Sequence, residues 1–132
     1  MKNMYHSIII EESLEDKKVL ENYKILRTKF ESAEGPDDID WHLHIVEIPE
    51  PEKAIKEFQA AMVSNKPYYF HIYNEGNTMI VVFKDKVFNL NPIDKSTWED
   101  ARAFGASKLN IPADQLDFYP SQISEEDNWF NR

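Results

Sequence analysis

Residues 41–91 decide the fold. WHLHIVEI (41–48), PEPEKAIKEFQAAMVSN (49–65), PYYFHIY (67–73), NEGN (74–77), TMIVVF (78–83) and KVFNLN (86–91) read as strand, helix, strand, tight turn, strand, strand. In the first strand Trp41, Leu43 and Ile45 alternate with His42, His44 and Val46, which gives it two distinguishable faces. Pro49 ends it, and Pro51 suits the first turn of a helix, where its missing N–H costs nothing. Ile55, Phe58 and Met62, with Ala54 and Ala61 beside them, form one apolar stripe, while Lys53, Lys56 and Glu57 stay in water. Asn65 and Pro67 close the helix. Tyr68, Phe70 and Ile72 then alternate with Tyr69, His71 and Tyr73, and Gly76 offers the turn a positive-φ position. Met79 to Phe83 is apolar on both faces, as a strand near a sheet centre should be. The three strands after the helix predict an antiparallel meander.

Working outward, YHSIII (5–10) predicts an edge or second-row strand. Ser13 with Asp16 is a capping pattern, and Val19, Tyr23, Leu26 and Phe30 follow at helical spacing, which favours a helix from Leu14. A strand over Tyr23–Phe30 is the competing assignment. Glu31–Asp40 (ESAEGPDDID) is an acidic loop with five carboxylates and Gly35-Pro36. Downstream, Asp94 or Ser96 caps a helix carrying Trp98, Ala101, Gly105 and Leu109 on one face, and Gly105 implies close packing against the sheet. Leu116, Phe118 and Tyr119 lie over the core in an extended segment. Residues 121–132 form a polar tail in which Trp129 and Phe130 provide a hydrophobic tether.

The expected architecture is one α+β domain spanning residues 1–132. It has a mainly antiparallel sheet of four or five strands with two or three helices packed on one face. The β-α-β-β centre resembles the ferredoxin-like split layout, an arrangement that hosts many unrelated functions.

Composition bounds the function. The chain has 132 residues, enough for one real core. Its formal net charge of −9, from 24 acidic and 15 basic residues, disfavours nucleic acid as a partner. Between Glu31 and Glu52 there are eight carboxylates and no Lys or Arg, whereas Lys17 to Lys29 holds five basic residues. The longest apolar run, Met79–Phe83, is far short of a membrane span, and the start MKNMYHS has no signal-peptide core, so the expected location is cytoplasmic. The absence of cysteine removes disulfides, thiolate metal sites and thiol nucleophiles. With three glycines there is no dinucleotide fingerprint or P-loop, and no GxSxG occurs. Glu11-Glu12 and Glu99-Asp100 are adjacent carboxylates that point in different directions, which suits solvent-facing charge better than an acid/base pair.

One face draws attention. If the Trp41 and Tyr68 strands are parallel neighbours, the face with Trp41, Leu43, Ile45, Tyr68, Phe70 and Ile72 takes the helices. The opposite, open face then collects His42, His44, Tyr69, His71 and Tyr73. These five are the candidate ligand-binding residues, with the acidic loop as their rim. The leading expectation is a non-enzymatic binding domain for a partner protein or small ligand, requiring no cofactor. The alternative is a metal-dependent hydrolase in which His42, His44 and His71 hold a divalent ion such as zinc and activate water. Glu47, on the Trp41 side by alternation, is badly placed as its base. Homodimerisation through the open face or an edge is the third possibility. The plainer reading of the five is a half-wet sheet surface.

Overall fold

A computed structural model describes residues 4–31 and 40–132. Six strands form one antiparallel sheet: β1 (Tyr5–Ile10), β2 (Ile25–Glu31), β3 (Trp41–Ile48), β4 (Tyr69–Tyr73), β5 (Met79–Phe83) and β6 (Lys86–Leu90), in the order β2-β3-β1-β4-β5-β6. The α-helices are α1 (Pro51–Ala61), α2 (Glu99–Lys108) and α3 (Glu126–Asn131), with short 3-10 segments between elements. The α+β class and the antiparallel sheet agree with the sequence. The sheet has six strands rather than four or five.

The additional strand is β2. Its residues match helical spacing, but the chain before it is diverted by tertiary hydrogen bonds. The Glu15 N–H donates to the Ala61 carbonyl at 2.7 Å and the Val63 N–H donates to the Ser13 carbonyl at 2.8 Å. This ties residues 13–15 to the end of α1. Asp16 caps a 3-10 segment over Lys17–Asn22, and from Ile25 the backbone pairs with β3 through a bulge at Ile25/Arg27. The acidic segment therefore joins β2 to β3, and residues 32–39 of it lie outside the described residues.

β1 is central rather than an edge or second-row strand. Ile8 and Ile9 are both buried, one on each side of the sheet, because III satisfies a strand covered on both faces. β3 and β4 are parallel to each other but do not touch. Each pairs antiparallel with β1, which fills the gap that the α1 crossover leaves. The split crossover of the expected layout is thus present, and the parallel pairing of β3 with β4 is not.

Helices cover both faces, not one. α1 packs Ala54, Phe58 and Ala61 against Ile9, Val46, Ile48, Phe70, Ile72 and Val82. On the other face, Trp98 and Ala101 with Leu116, Phe118 and Trp129 cover Ile8, Leu43, Ile45, Tyr73, Met79, Val81 and Phe83. Lys84 Nζ donates to the Gln59 and Met62 carbonyls, satisfying groups that the end of α1 leaves open. The β4–β5 turn is closed by the Asn74 side chain, which accepts from the Gly76 N–H at 2.8 Å. Gly76 is not in the left-handed region that the sequence offered it for. Gly105 does mark a close approach, chiefly to Leu116, with Phe83 of the sheet next. Residues 121–132, read as a polar tail with a Trp129–Phe130 tether, are held against the sheet by those two side chains. The segment forms a 3-10 turn and α3, and Trp129 is buried among the sheet residues.

Candidate functional site

Register decides where the five candidate residues go. Ile8 of β1 stands opposite both Ile45 of β3 and His71 of β4, so Ile45 and His71 share a face. Alternation then puts Tyr69, His71 and Tyr73 with Trp41, Leu43 and Ile45, while His42 and His44 lie with Val46, Phe70 and Ile72 on the α1 side. The proposed face therefore splits three against two. His42 and His44 cannot converge with His71 on one ion, and the three-histidine hydrolase site does not form.

The Tyr69–His71–Tyr73 half is closed over by residues 113–131. His71 is buried and its Nε2–H donates to the Pro120 carbonyl at 2.7 Å. Burial holds its pKa below the usual histidine value. The Tyr69 hydroxyl donates to the Gln115 carbonyl, and burial, with Asp117 nearby, raises its pKa. The Tyr73 hydroxyl donates to Glu126 Oε2 at 2.6 Å, and His6 Nδ1 meets the same oxygen at 2.8 Å. Burial and the Glu126 charge push the Tyr73 pKa strongly upward. His6 Nε2 is buried with no hydrogen-bond partner among the described residues. This buried cluster clamps α3 to the sheet. No spacing rule links Glu126 to His6, 120 residues away, so the sequence carries no signal for it.

In the other half, at the corner where β2 and β3 meet the turn after β1, His42 stays accessible while His44 is buried. Extending the antiparallel β1–β3 register past Ile10↔Leu43 brings Glu11 and Glu12 beside His42. Glu12 Oε1 accepts from the His42 backbone N–H at 2.7 Å and Oε2 from its ring Nδ1–H at 2.8 Å. Burial alone would raise the Glu12 carboxyl, but these bonds outweigh it and hold its pKa below the carboxylate norm. The hydrogen bond to Glu12, with Glu11 and Asp40 adding to it, raises the His42 pKa. His44 Nε2 lies 3.0 Å from Glu11 Oε1 and its Nδ1 lies 2.9 Å from Thr28 Oγ1. A neutral ring satisfies both contacts when Nε2–H donates to Glu11 and the Thr28 hydroxyl donates to Nδ1. Phe30 packs edge-on to His42, with ring centroids 5.2 Å apart, and remains 55% exposed. The carboxylate pair that looked like ordinary surface charge is thus half of the most chemically loaded corner of the sheet. The antiparallel β1–β3 register would have revealed it.

The fold and this corner define a small six-stranded α+β domain with a surface histidine–glutamate cluster beside an open sheet edge. No protein-family model, curated protein or solved structure matches the chain. No helix among the described residues is long and apolar enough to cross a membrane.

Proposed function

We propose that the protein is a non-enzymatic binding domain that accepts an extended segment of a partner protein along the outer edge of β2. The observation that carries this reading is the apolar content of that edge. β2 is the outermost strand, and Ile25, Leu26 and Phe30 are three of the six exposed large hydrophobic residues among those described. Exposed edge strands are ordinarily guarded by charged side chains. Here the guards are drawn inward. The Arg27 guanidinium sits 3.7 Å from the Phe130 ring centre and pairs with Asp127, and Lys29 Nζ donates to the Trp129 carbonyl at 2.9 Å. The opposite edge, β6, exposes Val87 alone among its large hydrophobic residues. A strand added to β2 gains main-chain hydrogen bonds for affinity, and Ile25 and Phe30 supply side-chain selectivity.

The test is selection of peptides from a random display library on the immobilised protein, with amide NMR mapping of the enriched sequences. Enriched peptides should shift residues 25–31 and should lose binding to Leu26→Lys and Phe30→Glu variants. Peptides that map elsewhere, or an absence of enrichment over Phe30→Glu, refute the reading. A native dimer that Phe30→Glu dissociates assigns the edge to a second copy instead.

A further inference from the structure

We infer that Glu11, Glu12 and His42 form a binding site for a divalent transition-metal ion, zinc being the best match, with His44 and Thr28 holding Glu11 in position. This inference does not rest on strand addition at β2. One ligand atom from each of the three residues lies within 4.8 Å of the others. Zinc takes imidazole nitrogen and carboxylate oxygen at about 2.0–2.2 Å, so the donors need to draw together by side-chain rotation.

The donor chemistry narrows the ion. Calcium and magnesium prefer oxygen shells, whereas an imidazole beside carboxylates suits zinc and its neighbours in the first transition row. Two carboxylates balance the charge of the ion. A neutral His42 ring offers a nitrogen lone pair to the ion directly, and an imidazolium ring would first release one proton to solvent. Two carboxylates and one imidazole leave a fourth tetrahedral position for water or an outside donor, and His42, whose side chain is 46% exposed, places that position at the surface.

His44 is a positioning residue. Its ring bridges Thr28 and Glu11 at 2.9 and 3.0 Å, the kind of outer hydrogen bond that orients a ligating group. Lys17 is the competing cation. Its Nζ lies 3.9 Å from Glu11 Oε2 on a side chain 57% exposed, free to swing into solvent.

Calorimetric titration with zinc alone, in a non-chelating buffer, tests the site. One equivalent should bind. His42→Ala and Glu12→Gln should each remove the stoichiometric phase, Thr28→Val should weaken it by about 10-fold, and Lys17→Ala should tighten it. Stoichiometric binding that survives His42→Ala, or uptake only in large excess, overturns the assignment. X-ray absorption of the wild-type zinc complex is independent of how the variants fold. It should find one imidazole among oxygen donors, and a shell of oxygen alone or of several imidazoles also overturns the site. The peptide selection, run in the presence of chelator, reads the β2 edge separately, so either result can fail without the other.

Discussion

Gly105→Ala sets two opposed effects of known size against each other. In an exposed helix interior the change stabilises by about 0.8–1 kcal/mol. In α2 the added Cβ would stand 2.8 Å from Leu116 Cδ2, 3.2 Å from Leu116 Cδ1 and 3.4 Å from Phe83 Cε1. Carbon atoms rest at about 3.5–4.0 Å, so Leu116 has to retreat by roughly 0.7 Å or more. It has little room to do so, because Leu116 and Phe83 are each 1% exposed and Phe104 and Phe88 pack around the Phe83 ring. Forced overpacking of a tight core costs about 1–3 kcal/mol, which exceeds the helical gain. The expected net effect is a loss of about 1 kcal/mol, read as a lower urea midpoint at unchanged slope. Leu116→Ala in the Gly105→Ala background should cost less than in the wild type, since the double-mutant cycle removes the clash. A Gly105→Ala protein more stable than wild type by about 0.5 kcal/mol or more would show that helix propensity wins and that α2 is not docked on Leu116 as described.

Two further outcomes concern the closed face. Glu126→Ala strands the Tyr73 hydroxyl and His6 Nδ1, two buried donors at about 1–3 kcal/mol each, so a loss of about 2–6 kcal/mol in urea unfolding is expected. A loss under 1 kcal/mol would mean that water replaces the carboxylate. For His71, burial lowers the folded-state pKa, so below about pH 6.5 the unfolded chain binds more protons than the folded one. Its contribution to stability is therefore full above that pH and is lost as pH falls toward the folded pKa. Urea midpoints from pH 8 to 5 should fall more steeply for wild type than for His71→Gln, and parallel curves would refute the assignment.

Several elements were legible in residues alone. Of the α1 stripe, Ala54, Phe58 and Ala61 are buried, Ile55 is partly buried, Met62 is buried just past the end of the helix, and Pro51 opens it. The β4–β5–β6 meander follows from alternation and short turns. Trp98 and Trp129 are anchors. β2 was ambiguous because Leu26 and Phe30 fit a helical period as well as a strand. Its state was settled by partners remote in sequence, namely Ala61 and Val63 diverting residues 13–15 and β3 offering an edge.

The candidate site shows the same limit more sharply. Alternation alone placed His42 with His44, and Tyr69 with His71 and Tyr73, because side chains two apart on a strand point the same way. It could not say whether the two sets share a face, since a one-residue change of register exchanges every side chain between faces. That relation passes through β1, whose Ile8 stands opposite both Ile45 and His71. Sequence by itself determined the elements and which residues travel together within each strand. Tertiary structure alone decided that β1 lies between β3 and β4, that Phe118 and Pro120 cover His71 while α3 seals Tyr73, and that Glu11 and Glu12 meet His42. Those are contacts between distant segments, and no local periodicity encodes their register.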